Sequence, residues 1–421
     1  MRRLAILSLH TSPLEQPGAG DGGGMNVYVR EMSSAIARSG AECDVFTRAY
    51  LADLPPVVEV EPGLRVHHVE AGPRVPLGKD ELVGVVDEFT DRVLEKMTSS
   101  SGLRLSDDEG GPFEAIHANY WLSGLAGHVI KHELDLPLMC TFHTLDRVKA
   151  EAVPEEVEAD MPHRRSEAEA TIISCSDAVL ASCTVEAQQI VDLYGAGPER
   201  VRIVPLGVDH AFFSPGDRTQ ARRAVGLGSG PLLLFVGRIQ PLKGADVAVR
   251  VLGELAKDRR SDATLVVVGG PSGPQGHASY EELTDLAAKL GVAERLRLIA
   301  PLPHEVVSTY FRAADVCLVP SRSESFGLVA LEAAACGTPV VASAVGGLTT
   351  LIDHGSTGFL VEGRDPSAFA SYVCKLLDDP ALARQMSEQA AFAALGYSWR
   401  DAAQRFQVLH DELAAGHLVR C

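Results

Sequence analysis

Apolar runs alternate with helix-forming stretches along this chain, and they do so twice. In the first half, residues 4–9, 43–47, 65–70, 115–117, 138–142, 178–182 and 201–204 have strand composition. Residues 25–39, 79–98, 122–134, 155–174 and 185–193 between them have helix composition. Strands separated by helices need crossover connections, the hallmark of parallel, doubly wound α/β sheets. Residues 206–230 hold Leu206-Gly207-Val208-Asp209, Pro215-Gly216-Asp217 and Gly226-Leu227-Gly228-Ser229-Gly230, the most loop-like stretch in mid-chain. A domain boundary is expected there. A second alternation follows through strands 232–236, 263–268, 296–299 and 316–319, with helices 244–255, 280–290 and 305–313. The end is helical, over 366–377, 380–395 and 399–416.

At 421 residues the chain exceeds what one compact core covers, so two domains are expected. A 46% hydrophobic content with 5% aromatics suits aliphatic parallel strands covered on both faces. The formal charge of −18 argues against nucleic-acid binding and leaves room only for a local basic pocket. Eight cysteines include no Cys-x2-Cys pair and most lie in apolar runs. They are expected to be buried small hydrophobes in a reducing compartment. Met1-Arg2-Arg3 leads into an apolar run of six residues, too short for a signal-peptide core, and no run approaches a membrane span. The expected location is the cytoplasm.

Sites in doubly wound sheets lie beyond the carboxyl ends of the strands. Residues 319–339 carry such a turn: after an apolar strand come Ser321, Ser323 and Glu324, then a helical stretch over 327–335 that contains Glu332. A carboxylate inside so apolar a helix is costly without a partner. Two carboxylates eight residues apart are expected to face one crevice and suit hydroxyl-rich ligands. Gly237-Arg238-Ile239-Gln240-Pro241-Leu242-Lys243-Gly244 lies between a buried strand and a helix. Its two cations, five residues apart, match a diphosphate. The spacing is not that of a Walker loop, and no Asp-x-Asp occurs in the chain. Near the N-terminus, Gly18-Ala19-Gly20-Asp21-Gly22-Gly23 is a literal Gly-x-Gly-x-x-Gly, but eight residues separate it from its strand. That context disfavours a dinucleotide fingerprint. The better use of Gly22-Gly23-Gly24 is a set of N–H groups at a helix N-terminus, open to an anion. Lys79, Tyr120, Thr144 and either Arg164 or Arg165 would make a cradle for a phosphate monoester.

Together these motifs resemble the family-4 retaining glycosyltransferases, whose Glu-x7-Glu motif matches Glu324 and Glu332. The resemblance implies a GT-B architecture, two Rossmann-like doubly wound domains facing across a cleft. It implies an acceptor domain over 1–206, a nucleotide-sugar domain over 207–396, and a helix over 397–421 that crosses back to the first domain. Within the family, His10 to Gly18, Asp21 to Tyr28, His117-x-x-Tyr120-Trp121-Leu122-Ser123-Gly124, His143-Thr144-Leu145 and Gly269-Gly270-Pro271-Ser272-Gly273-Pro274 resemble one subfamily. Its members transfer N-acetylglucosamine from UDP-GlcNAc to inositol 3-phosphate at the start of mycothiol synthesis.

By position, the resemblance assigns His10, Gln16, Pro17, Gly24, Arg238, Lys243, Glu324 and Glu332 to the nucleotide sugar. Arg238, Lys243, Glu324 and His143 would act at the reacting centre. Asp21, Gly22, Gly23, Gly24, Met25, Asn26, Lys79, Tyr120, Thr144 and Arg164 would hold the inositol phosphate. It also implies a structural Mg²⁺ near Phe311, Arg312, Ala314 and Thr338, no cofactor for the chemistry itself, and a homodimer. The chain departs from the subfamily at Leu302, where Arg is usual, and residues 164–169 look more like sucrose-phosphate synthases. Two other readings stay open: the same fold with another acceptor, such as fructose 6-phosphate or a lipid-linked sugar, and a non-catalytic sugar-nucleotide sensor or UDP-sugar isomerase.

Overall fold

The computed structural model describes residues 1–18, 20–102, 112–152, 164–257, 262–272 and 276–421. Residues 155–163 of one expected helix, and Gly273 and Pro274 of one motif, lie outside these. Two compact units form. One comprises Met1–Glu15, Met25–Pro205 and Trp399–Cys421; the other comprises Gln16–Gly24 and Leu206–Ser398.

The first unit is built on β1 (Arg3–Leu7), β2 (Glu42–Arg48), β3 (Val57–Glu61), β4 (Leu64–Val69), β5 (Ala115–Asn119), β6 (Leu138–Thr141), β7 (Ala178–Ala181) and β8 (Val201–Ile203). Their order is β3-β4-β2-β1-β5-β6-β7-β8. Every pairing is parallel except β3 with β4. β1, β5, β6 and β7 are buried along their whole length, as apolar runs covered on both faces must be. The order reverses between β1 and β5, so the loops after these two strands open the crevice in which such sheets place ligands.

The second unit carries β9 (Leu232–Val236), β10 (Thr264–Val268), β11 (Leu296–Ile299), β12 (Val316–Val319), β13 (Val340–Ser343) and β14 (Gly358–Val361). Their order is β11-β10-β9-β12-β13-β14, all parallel. Here the reversal lies between β9 and β12. Asp217 caps the helix Arg218–Ala224 by accepting from Gln220 N at 2.7 Å, which starts this unit cleanly after the glycine- and proline-rich stretch.

Both units are parallel α/β sheets, as the alternation predicts. Differences are local. The stretch 79–98 is a short helix Lys79–Leu82, a 3-10 turn Val83–Val85 and a long helix Val86–Gly102. The chain end packs into the first unit through its helix Trp399–Ala414, with Trp399 edge-on to Tyr28 at 6.0 Å and Phe406 against His117 at 5.0 Å. That return corrects the cysteine expectation. Cys175 and Cys421, 246 residues apart, form a disulfide with Cα atoms 5.6 Å apart. The other six are in no disulfide; five are buried and Cys374 is half-buried.

Candidate active site

In the second unit the loop after β9 and the loop after β12 meet, side by side at the reversal. Lys243 Nζ donates to Glu324 Oε1 at 2.5 Å, and Ser321 Oγ reaches the same oxygen at 3.2 Å. The turn that holds Glu324 depends on glycine. Gly244 has φ +76°, and a Cβ there would lie 2.2 Å from the Pro320 carbonyl oxygen. Gly346, at φ +49°, would place a Cβ 1.9 Å from the Glu324 carbonyl oxygen, which already accepts from Gly347 N at 2.9 Å. Gly346→Ala therefore meets both an unfavourable φ and backbone contact. It is expected to cost about 1–3 kcal/mol of stability and to lower turnover with it, since the turn positions Glu324. Chemical denaturation beside a turnover assay checks this; wild-type values for both would show that the turn relaxes around the methyl.

The helix Leu328–Ala335 starts from Gly327 at φ +101° with no side chain capping it, so its first N–H groups face the same turn as Glu324. Glu332 lies inside this helix, 3% exposed. It meets the cation-or-donor that its burial demands: His304 Nε2 at 2.6 Å. His304 opens the helix His304–Ala313 that follows β11, whereas the partner of Glu324 comes from the loop after β9. The two carboxylates thus take partners from different elements.

Arg238 stands one residue past Gly237 in the loop after β9. Its Nη1 donates to Ser272 Oγ at 3.4 Å and lies 4.0 Å from Asp21 Oδ1. Asp21 belongs to the segment Gln16–Gly24, which is part of this unit. Gly270 N donates to Gly18 O at 2.9 Å, and Ser272 Oγ donates to Gly20 O at 2.7 Å. A Cβ on Gly23 would sit 3.3 Å from Arg238 Nε, a tight contact from which the guanidinium would have to give by a few tenths of an ångström. The helix Gly24–Arg38 begins at once after the glycines, so Gly22, Gly23 and Gly24 form its N-terminal approach. Gln16 is exposed and Pro17 half-buried in the same segment.

In the first unit, His10 follows β1 and Tyr120 follows β5, the two strands of the reversal. Their rings lie 4.4 Å apart. Met25 is half-buried, and Asn26 is buried and structural in its contacts: its amide donates to Thr11 Oγ1 at 2.7 Å and Ser12 O at 2.6 Å, fixing the loop that carries His10. Tyr120 has φ 74° and His143 has φ 63°, conformations that side chains rarely adopt and that cluster at functional sites. His143 Nε2 is 2.9 Å from Asn119 Oδ1. Burial, with His117 and His10 near, pulls its pKa down to about 3, so the ring is neutral at pH 7. With Nε2–H directed to Asn119, Nδ1 is left as an acceptor.

The arginine that gathers the remaining residues is Arg165. Its guanidinium lies 4.8 Å from the Tyr120 ring centre and donates to Thr144 O at 2.7 Å and Thr144 Oγ1 at 3.1 Å. Glu169 holds it at 2.8 Å. Arg164 and Lys79 are exposed first residues of their helices. His304, Gly346 and Gly347 are the participants that motif reading passed over. Arg165 is one of the two arginines offered for the cradle, and Ser272 stood only as a member of the motif 269–274.

The residues assigned to Mg²⁺ present a different chemistry. Thr338 Oγ1 donates to Phe311 O at 2.5 Å, and that carbonyl also accepts from Ala314 N at 3.1 Å. Arg312 spends its guanidinium on Phe212 O, Ser214 O, Ser308 Oγ and Thr309 Oγ1. The Phe311 carbonyl thus already holds two donors, a fixed cation stands beside it, and the set contains no carboxylate. Magnesium asks for carboxylates, phosphates and water, so these residues do not fit it and no step is derived through a metal.

Residues 217–391 match the family described as glycosyl transferases group 1, and residues 23–207 match the glycosyl transferase 4-like domain. A D-inositol 3-phosphate glycosyltransferase of Acidothermus cellulolyticus is 46% identical over 94% of this chain and 87% of its own. One of Geodermatophilus obscurus is 47% identical over 94% and 86%. Among solved structures, sucrose-phosphate synthase of Thermosynechococcus elongatus superposes with a TM-score of 0.88 at 29% identity, covering 99% of this chain and 100% of its own. The Anabaena HepE protein, solved with UDP and glucose, matches with a TM-score of 0.74 at 18% identity, over 98% and 100%, and so shares the GT-B fold.

Proposed function

The chain belongs to the D-inositol 3-phosphate glycosyltransferase family, and from that membership we propose that it moves N-acetylglucosamine from UDP-GlcNAc to 1D-myo-inositol 3-phosphate, with retention, in the first step of mycothiol synthesis. The observation that carries the donor side is the meeting of Lys243 with Glu324 at the β9–β12 reversal, with Arg238 in the same β9 loop. A diphosphate brings about two negative charges, and Arg238 and Lys243 supply the matching cations. They act most strongly on the charge that grows on the departing UDP. Glu324, released from Lys243 by the phosphates, accepts hydrogen bonds from sugar hydroxyls, and Glu332 accepts from the ribose.

The bond from sugar C1 to the phosphate oxygen breaks as the bond from C1 to the acceptor oxygen forms. The acceptor's hydroxyl proton passes to the departing phosphate oxygen on the same face, so no enzymic nucleophile is required. Neutral His143 offers an acceptor nitrogen to the sugar without a competing charge. On the acceptor side, Arg165 with Tyr120 and Thr144 gives the first unit a cation next to two hydroxyls, with Lys79 and Arg164 as the further cations of the phosphate cradle. Asp21, paired near Arg238, ties the glycine segment to the donor loop. The same reading places the enzyme in the cytoplasm as a homodimer.

UDP release from UDP-GlcNAc with inositol 3-phosphate, with fructose 6-phosphate and with no acceptor tests the proposal. Release that depends on inositol 3-phosphate is expected. Release with fructose 6-phosphate alone would favour the second reading, which rests on the likeness to sucrose-phosphate synthase and on residues 164–169. Conversion of the UDP-sugar with no acceptor would favour an isomerase. Tight binding without turnover would favour a sensor.

A further inference from the structure

Four side chains of the first unit that the transfer reaction does not use come together where the chain end returns. His128 and His132 stand four apart on the helix Trp121–Leu134, a spacing that puts both rings on one face. The rings lie 4.9 Å apart. Cys175 closes the helix Arg164–Cys175, and Cys421 arrives beyond the helix Trp399–Ala414. One donor atom from each of the four lies within 4.8 Å of all the others. His132 Nε2 is 3.3 Å from Cys421 Sγ.

The arrangement is held from behind. Lys131, between the two histidines, is a buried cation that donates to Cys175 O and Asp177 Oδ2, both at 2.8 Å. Asp177 Oδ1 in turn accepts from Val419 N at 2.7 Å, which sets Cys421 two residues further on against the histidines. A disulfide accounts for the two sulfurs but not for two histidines at ligand spacing, nor for the buried His128 Nδ1, which has no hydrogen-bond partner among the described residues. Two thiolates and two imidazoles are a tetrahedral zinc donor set. Bond lengths of about 2.3 Å to sulfur and about 2.0 Å to nitrogen set donors roughly 3.3–3.8 Å apart in such a site; His132 Nε2 already lies 3.3 Å from Cys421 Sγ, and the two sulfurs move apart to that spacing once their bond is reduced.

We propose that, with Cys175 and Cys421 reduced, His128, His132, Cys175 and Cys421 bind one divalent ion of the zinc class and so clasp the chain end to the helix Trp121–Leu134. The disulfide and the metal are then alternative uses of the same two sulfurs. A dithiol gives the disulfide two electrons and two protons, becoming a disulfide itself and leaving two thiols. The ion displaces those two protons and takes both thiolates. His132 and Cys421 are exposed while Cys175 is buried, so replacing the first two leaves the core intact.

The test uses the full chain, reduced with a phosphine and freed of metal, and titrated with cobalt(II) alone and then with zinc. Expected are one cobalt per chain with the absorption of tetrahedral thiolate coordination, its displacement by one zinc, and a higher unfolding temperature with zinc. Cys421→Ser and His132→Ala are expected to lose the absorption and the zinc shift while keeping the wild-type circular dichroism. The oxidised chain is expected to bind neither ion. Absence of the thiolate absorption in the reduced wild type, or its persistence in both variants, would overturn the proposal and leave a disulfide only.

Discussion

Arg238→Ala is expected to lower kcat by roughly 10²- to 10³-fold, the loss that follows removal of one preorganised charge-stabilising donor. The side chain is 22% exposed and held by Ser272 and Asp21, so little reorganisation is needed before it meets a diphosphate. In the proposed reaction its contribution grows as charge develops on UDP, which would place the effect in kcat more than in KM. Arg238→Lys keeps the charge and loses the fork, and is expected to recover only part of the rate. Steady-state kinetics with UDP-GlcNAc and inositol 3-phosphate give the comparison. Near-normal kcat in Arg238→Ala would remove this residue from the reacting centre.

The alternation of apolar strands and helices made both sheets legible, because parallel strands buried on two faces must be continuous apolar runs. Strand β3, Val57–Glu61, escaped for the opposite reason. It is a half-exposed antiparallel edge reading Val-Val-Glu-Val-Glu, with no buried run to see. In the site, Arg238, Lys243 and Glu324 were legible since each sits in a short loop between a strand and a helix, and the spacing itself suggests phosphate and hydroxyl chemistry. His304 was not. It lies 28 residues before Glu332, and only the fold brings the start of the helix His304–Ala313 against that helix. The transfer of Gln16–Gly24 into the second unit was equally hidden, because backbone hydrogen bonds such as Gly270 N to Gly18 O leave no mark on composition. The Cys175–Cys421 pairing needs the returning chain end, which no local pattern specifies.

Asp44→Ala is expected to destabilise the first unit by about 3–5 kcal/mol, the cost of stranding buried charge. The Asp44 side chain is fully buried in β2. It accepts from Arg3 Nε at 2.7 Å, Arg65 Nε at 2.9 Å and His67 Nε2 at 2.7 Å, tying β1, β2 and β4 together. Of its partners Arg3 is 8% exposed and has least recourse to water when the carboxylate goes. Burial alone would raise the carboxyl's pKa, but the hydrogen bonds from His67 and Arg65 and the charge of Arg3 outweigh it and hold the group well below the ordinary carboxylate range. A folded pKa lower than the unfolded one means the unfolded chain binds the proton more readily. The stabilisation is therefore complete above pH ~4, the unfolded value, and is lost progressively as pH falls below it. Both tryptophans of the chain, Trp121 and Trp399, belong to this unit, so tryptophan fluorescence follows its unfolding specifically. Denaturation by urea at pH 7 is expected to show the full loss in Asp44→Ala and a smaller one in Asp44→Asn, which keeps an acceptor. Near pH 3 the gap between wild type and Asp44→Ala is expected to narrow. A loss below about 1 kcal/mol at pH 7 would mean that the three donors reach solvent without the carboxylate, and that the hub is no more than a surface pair.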